Sequence, residues 1–304
     1  MMIAKRAKLF SLIALFFLLI IAVYYLNKYN FDVFVILASS FFSCFLRLII
    51  CSYQDIKDST AWMTMQRKLL RAGLIKNDTL IRISFAYLYR IKVDSDYFLI
   101  KNARGTEKYQ PVGGVYKMGK SEKEFLNRNF NVLDDDKVPI DESSRNDYRL
   151  QVHCHFLREF VERFDNGSAE HERIRDLSRE FQEELSKLID WKEIKYRYCG
   201  RHMTSLEYSK HFRCYELLLA DIVELIPSDK QRQDLETLRR QTSDSYCFAT
   251  AERIKGLGVI AGTENLKEGI ADHTIKILQE TEQELIKKTN CGNVFKVSLR
   301  MLKN

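Results

Sequence analysis

The residues best suited to chemistry are three glutamates within the stretch RIRDLSREFQEELSKL, residues 173–188. They stand at Glu180, Glu183 and Glu184. Like charges three or four residues apart on a helix repel each other by roughly 0.2–0.5 kcal/mol. A divalent cation with oxygen ligands relieves this repulsion, and Mg²⁺, which also bridges to phosphates, suits the set best. The glutamates therefore predict a magnesium site, in which Mn²⁺ can substitute.

The helix predicted for this stretch places an acidic arc beside an apolar one. At 100° per residue the apolar side chains fall in a stripe about 80° wide, next to the glutamates. The stripe consists of Ile174, Leu177, Phe181, Leu185 and Leu188. We expect Asn166 or Ser168 to cap the helix and the helix to run on towards Trp191. The same pattern also fits a solvated acidic face, so both interpretations stay open.

A second motif, QPVGG, ends at Gly113 and Gly114 and follows two strand-like runs. Together the two motifs resemble the Nudix box, G-x5-E-x7-R-E-U-x-E-E-x-G-U. In this resemblance Gly114 takes the glycine of the box, Arg179 its arginine and Phe181 its apolar position. The resemblance implies that the three glutamates are metal ligands braced by Arg179. It also implies that Glu183 and Glu184 are the catalytic carboxylates, if the domain is an active hydrolase.

The sequence departs from the box in four ways, two of them at its end, where Ser186 replaces the closing glycine and Lys187 the last apolar residue. Between Gly114 and Arg179 lie 64 residues where the box has 13, so about 51 are inserted. Where the box has its first glutamate stands His171, flanked by Glu170 and Glu172, so that an offset of one residue would restore a carboxylate.

The surrounding pattern predicts an α+β domain over residues 79–304, with a Nudix-like mixed sheet and flanking helices. Strand-like runs are LIRISFAYLYRIKV and DYFLIKN, joined by a DSD hairpin, and later EIKYRYCGRHM and FRCYELLLADIVELI. HFLREFVERF and TIKILQETEQELIKK are predicted helices. The chain is polar from 119 to about 150, which we interpret as an insertion or surface loop, and the insertion into the domain spans about 119–170.

The N-terminal residues 1–54 predict a transmembrane helical hairpin. The uncharged run Leu9–Leu26 is about as long as a hydrocarbon core, and Val33–Tyr53 is interrupted only by Arg47. Basic residues precede the first run, while the loop between the runs holds only Lys28, which predicts that both termini are cytoplasmic. Residues 55–78 predict a connecting helix that ends near Gly73.

Charge and cysteine content bear on the ligand class and on the cellular compartment. The chain has 48 basic and 41 acidic residues, a net charge of +7, which suits an anionic membrane or a phosphorylated ligand as well as nucleic acid. Seven cysteines lack metal or disulfide spacing, which is typical of a reducing cytosol. Arg197, Tyr198 and Arg201 offer cations and a stacking ring for a nucleotide, or form an ordinary exposed strand.

A hairpin followed by such a domain resembles the two-transmembrane Nudix effectors of bacterial CBASS antiphage systems, which carry a SMODS-associated Nudix domain and accompany cGAS-like nucleotidyltransferases. This resemblance implies a protein of the bacterial inner membrane that binds a cyclic oligonucleotide, self-associates as a homo-oligomer and damages the bilayer, with no DNA or long RNA as partner. The alternative is a membrane-tethered, Mg²⁺-dependent Nudix pyrophosphohydrolase that acts on a nucleoside diphosphate derivative.

Overall fold

The computed structural model describes residues 2–29, 32–58, 60–102, 107–138, 141, 144–259, 269–278, 285–288 and 290–299. They fall into two compact units, Met1–Leu74 and Ile75–Asn304.

The first unit is helical: α1 is Met2–Lys28, α2 is Asp32–Lys57 and α3 is Ala61–Arg71. The rings of Phe16 in α1 and Phe42 in α2 lie 4.5 Å apart, so these two helices pack against each other. One helical stretch among the described residues, Arg6–Tyr25, is long and apolar enough to cross a membrane. This agrees with the first predicted span.

The second predicted span, 33–53, is only partly accounted for. Its described side chains include a shorter apolar stretch, Cys44–Gln54, and the side chains of residues 31–40 lie outside the described part. The connecting segment predicted as one helix over 55–78 instead contains the end of α2 and the separate helix α3. Thr60, in an extended conformation, separates them.

The described residues of the second unit form two sheets with short α-helices beside them. The larger sheet contains β1 (Leu80–Arg90), β5 (Gly113–Val115), β6 (Leu133–Asp134), β7 (Arg149–His153), β8 (Glu193–Met203), β9 (Glu207–Ser209), β10 (Cys214–Leu225) and β12 (Val294–Ser298). The smaller sheet contains β2 (Lys92–Val93), β3 (Asp96–Lys101), β4 (Tyr109–Gln110) and β11 (Tyr246–Thr250). The helices are α4 (Lys120–Phe130), α5 (Leu157–Asp165), α6 (Arg179–Leu185), α7 (Asp229–Arg240) and α8 (Ala251–Lys255).

The larger sheet is mixed, as the α+β prediction requires. Its order is β12-β8-β10-β1-β7-β6, and β1 pairs parallel with β10 but antiparallel with β7 and β5. Nearly every side chain of β1 is buried, because the strand lies in the middle of the sheet with apolar residues on both faces. β2 and β3 form the predicted hairpin, with Asp94 at a positive φ of 53° in its turn.

The interpretation of residues 119 to about 150 as a surface loop is wrong, because α4, β6 and the start of β7 lie there and β7 pairs directly with β1. The helix predicted for HFLREFVERF is confirmed by α5. The buried side chains Leu126, Phe130, Leu150, Val152 and Phe160 belong to the segment 119–170. The ring of Phe164 stacks 3.9 Å from Phe85 of β1. The apolar residues of this segment are spaced among many polar ones, so the sequence pattern appeared polar although these apolar side chains complete the core.

Two predicted helices are also corrected. The helix expected over 173–188 is only α6, seven residues long, and it neither starts at Asn166 or Ser168 nor continues towards Trp191. Leu177 precedes the helix and is still buried. The hydroxyl of Tyr89 donates to the carbonyl of Leu177, and the backbone N–H of Leu177 donates to the hydroxyl of Tyr196, so its backbone is satisfied without a helix.

The helix predicted over 274–288 is replaced in the described residues by a 3₁₀ helix at Asp272–Leu278 and an extended segment at 285–288; residues 279–284 lie outside the described part. Ile286 and Arg201 exchange both backbone hydrogen bonds, at 2.8 and 2.9 Å, which extends the sheet where a helix was expected.

Candidate functional site

The structure brings the glycine pair and the glutamate helix together. A Cβ added to Gly114 would lie closer than 3.0 Å to the carboxylate of Glu180, so only glycine lets this side chain cross the β5 backbone. Gly113 has φ +150° and sits against the carbonyl of Tyr87 in β1. Its backbone N–H donates to Oε2 of Glu184 at 3.1 Å. Two motifs far apart in the sequence thus form one site.

Arg179 is the centre of this site. Its guanidinium donates to Glu180 Oε1 at 2.6 Å, to Glu172 at 3.0 and 3.1 Å, and to the carbonyl of Val115 at 2.9 Å. Glu183 Oε2 lies 3.6 Å away. The guanidinium is planar and carries several N–H donors in a fixed fork, so one arginine can donate to several oxygen acceptors at once. The bracing role that the resemblance implies for Arg179 therefore has a geometric basis, because this side chain links α6 to β5 and to Glu172.

Glu172 is the residue that the sequence prediction left open. It accepts a hydrogen bond from the backbone of Lys117 at 3.0 Å as well as both bonds from Arg179. The neighbouring His171 faces the core instead, with its ring stacked 4.0 Å from Phe164, and burial lowers the pKa of His171. Backbone pairing of residues 171–172 with Lys117 and Met118 sets this alternation, so that Glu172, and not His171, faces Arg179.

Burial controls the electrostatics of the site. Burial raises the pKa of Glu180 against the opposing charge of Arg179. Burial opposes the charge of Arg179, yet hydrogen bonds to Glu172 and the field of Glu180 raise the pKa of this guanidinium. Burial also raises the pKa of Tyr87, helped by the negative charge of Glu172. The site is thus a partly desolvated ion-pair cluster, in which each carboxylate depends on a positive partner.

The predicted three-glutamate metal centre is not assembled in this arrangement. No three His, Cys, Asp or Glu side chains in the described part of the chain form a group that could hold a metal ion. Glu180 is committed to Arg179, while Glu183 has a side chain 49 % exposed. A magnesium ion that arrives with phosphates needs only one or two protein carboxylates. Glu183 and Glu184 are the residues that could hold it.

The residues predicted to contact a nucleotide have structural partners. Arg201 is 5 % exposed and forms two hydrogen bonds to Asp221, at 2.8 and 2.7 Å. The hydroxyl of Tyr198 donates to the same carboxylate at 2.8 Å, and Arg197 forms an exposed ion pair with Glu224. In this structure the side chains of Arg201 and Tyr198 point into the core, where both bind the carboxylate of Asp221.

The mixed sheet, the glycine pair and the arginine-braced glutamates define a Nudix-type domain. A model of the SMODS-associated NUDIX domain matches residues 80–278, well over half of the chain, and the chain belongs to this family. No curated protein and no solved structure matches the chain.

Proposed function

We propose that this protein is a membrane-anchored Nudix-like effector of CBASS antiphage defence. In this proposal the cytosolic domain senses a cyclic oligonucleotide, the protein self-associates, and its helices then disrupt the bacterial inner membrane. The observation that carries the proposal is a SMODS-associated Nudix domain on a chain with a membrane-length apolar helix, Arg6–Tyr25.

The proposal includes α2 as a second span and places both termini in the cytoplasm. In its support, α1 and α2 pack together, and basic residues precede the first apolar run. One hairpin has too little polar surface to form a pore, so several copies must meet. A nucleotide can drive this assembly only if it binds the assembled form more tightly than the separate form.

The partners of the carboxylates support sensing. Arg179 forms ion pairs with Glu180 and Glu172, so a metal ion at either carboxylate has to compete with an internal cation. This competition favours a domain that binds a phosphate-bearing ligand over one that activates water.

The test uses the full chain in bacteria that also produce a cyclic-oligonucleotide synthase, with dye entry as the readout. We expect dye entry only when the synthase is active and α1 and α2 are present. Chemical crosslinking in the same cells should show larger assemblies under the same condition. Dye entry without a synthase, or equal dye entry from a chain lacking residues 2–57, would refute the proposal.

The alternative is a Mg²⁺-dependent pyrophosphohydrolase. It is favoured by the close contact between Gly114 and the carboxylate of Glu180, which joins the two motifs of the box. It predicts metal-dependent release of nucleotide by the detergent-solubilised full chain. Glu183→Gln should then lower this rate by roughly a hundredfold or more, as loss of a catalytic group does, whereas the exposed control Glu162→Gln should not. A rate equal in both variants would exclude catalysis at this site.

A further inference from the structure

A second candidate site lies beyond the C-terminal end of α6. Residues at the start of β8, after the end of β10 and at the start of α7 line an open cleft of about 850 Å³. Its apolar lining includes Trp191, Ile194, Ile226 and Pro227. A cleft of this volume is within the range of small-ligand sites, in which an apolar floor carries a few placed polar groups.

The charged lining of this cleft is predominantly basic. Among the described residues, those that line it with a charge are four lysines, Lys192, Lys195, Lys230 and Lys296, and two acidic residues. Lys296 forms an exposed ion pair with Glu193 at 2.8 Å, and the other three lysines have no ion pair within the part of the chain that the structure describes. The cleft thus has an excess of positive charge available to an anion.

The register of the sheet brings two of these lysines together. Lys195 of β8 stands directly opposite Lys296 of β12, and like charges in this position are destabilising. The ion pair between Lys296 and Glu193 offsets part of this repulsion, while Lys195 keeps its charge for an anion in the cleft. The N-terminus of α7, capped by Ser228, opens on the same cleft and adds a dipole of the favourable sign.

The walls of the cleft are held in place before any ligand binds. The indole of Trp191 stacks on Phe181 of α6 and donates to Asp234 of α7 at 2.9 Å. The amide of Gln231 donates to the carbonyl of Glu193 at 2.8 Å. Preorganised walls lower the entropic cost of binding. Through Phe181 the cleft is also in contact with the helix that carries the box glutamates.

We propose that this lysine-rich cleft binds a nucleotide phosphodiester, with the phosphates on the lysines and a base on the apolar floor. The inference rests on the proposed function, because it gives the sensed nucleotide a site, and it separates that site from the Nudix box.

Tryptophan emission can test this in the detergent-solubilised full chain. The sequence has two tryptophans, so Trp62→Phe leaves Trp191 in the cleft as the only reporter. We expect cyclic di-AMP, linear pApA and inorganic pyrophosphate each to change its emission, more weakly at 0.5 M salt. Lys195→Ala with Lys230→Ala should weaken binding at least about tenfold, since each lost charged contact is worth around this factor.

The matched control removes two exposed lysines elsewhere, Lys210→Ala with Lys255→Ala, and should bind as the parent does. If none of the three probes changes Trp191 emission at millimolar concentration, the cleft is not a phosphate site. If binding in the presence of Mg²⁺ survives the cleft substitutions but is lost in Glu183→Gln with Glu184→Gln, the nucleotide binds at the box and the inference is overturned. Synthase-dependent dye entry by the cleft variant in cells tests the proposed function separately.

Discussion

The guanidinium of Arg179 shows how one residue determines the character of the box. Its side chain is 25 % exposed, and those of Glu172 and Glu180 are 18 % and 17 % exposed. Carboxylates with so little water around them need a partner for their charge. One arginine supplies it to both, and also satisfies the carbonyl of Val115. Metal binding at Glu180 would therefore have to compete with an internal cation.

Replacing this arginine is expected to destabilise the fold. Arg179→Gln leaves two partly buried carboxylates without a positive charge, which should cost about 3 kcal/mol of unfolding free energy. Urea unfolding followed by far-UV circular dichroism measures it. The control Arg197→Gln breaks an exposed pair with Glu224 and should cost less than about 0.5 kcal/mol. Equal effects in the two variants would contradict the central position of Arg179.

The two glycines should differ in their tolerance of a methyl group. In Gly113→Ala the new Cβ meets the backbone carbonyl of Tyr87, and φ +150° is strained for alanine. In Gly114→Ala it meets only the end of the Glu180 side chain, which can move. We expect the first to lower the melting temperature more. Glu180→Ala should rescue most of the loss in Gly114→Ala and none of the loss in Gly113→Ala, a coupling that a double-mutant cycle detects.

Asp221 should make stability dependent on acid pH. Burial alone would raise the pKa of Asp221, but Arg201 and the hydroxyls of Tyr116 and Tyr198 outweigh it and hold this pKa below its ordinary value of 3.8. Such a group stabilises the fold above its unfolded pKa, and the contribution is lost as pH falls through the folded value.

Asp221→Asn should therefore cost about 3–5 kcal/mol at neutral pH. It should also flatten the fall in stability below about pH 4, measured by urea unfolding across pH. Asp244→Asn, at an exposed position, should leave both quantities unchanged. An unchanged acid slope in Asp221→Asn would show that other carboxylates control it.

At the scale of elements, residues 119–170 act as a folded part of the domain. Phe160 is fully buried and packs against Phe85, Phe130 and Tyr148. Phe160→Ala should cost about 3–5 kcal/mol, the range for a large aromatic side chain in a core, in a thermal or urea unfolding experiment. Leu133→Ala in the same segment, at a side chain 46 % exposed, should cost far less. A small effect in both variants would restore the surface-loop interpretation.

The elements that could be predicted from sequence are those whose pattern is local. β8 begins and ends where EIKYRYCGRHM does. β1 and β3 lie in runs rich in β-branched and aromatic residues, and β10 lies in a long apolar run rich in leucine. The length of α6 could not be predicted in this way, because hydroxyls of Tyr89 and Tyr196 on other strands bury Leu177 without a helix. Glu172 joined the site through pairing with Lys117, which local spacing does not contain.

At the scale of the whole molecule, the proposed mechanism couples an apolar helical unit to a folded α+β domain. The first unit has its large apolar side chains exposed along Arg6–Tyr25, as a bilayer would require. The second has its own core and two candidate phosphate sites, the box and the lysine-rich cleft. A signal bound in the second unit can act on the first only if assembly favours the occupied form.

The proposed coupling requires that α1 and α2 both cross the membrane, and the membrane topology of the chain tests this. If α1 and α2 both span, a reporter fused after Lys28 is periplasmic, while a reporter fused after Asn304 is cytoplasmic. The reason is the positive charge before the first span, which favours the cytoplasmic side, and the return of the chain through the second. Paired alkaline phosphatase and green fluorescent protein fusions at both positions, with matched expression, measure this. Activity on the same side of the membrane at both positions would mean that α2 does not cross, and the hairpin would have to be abandoned.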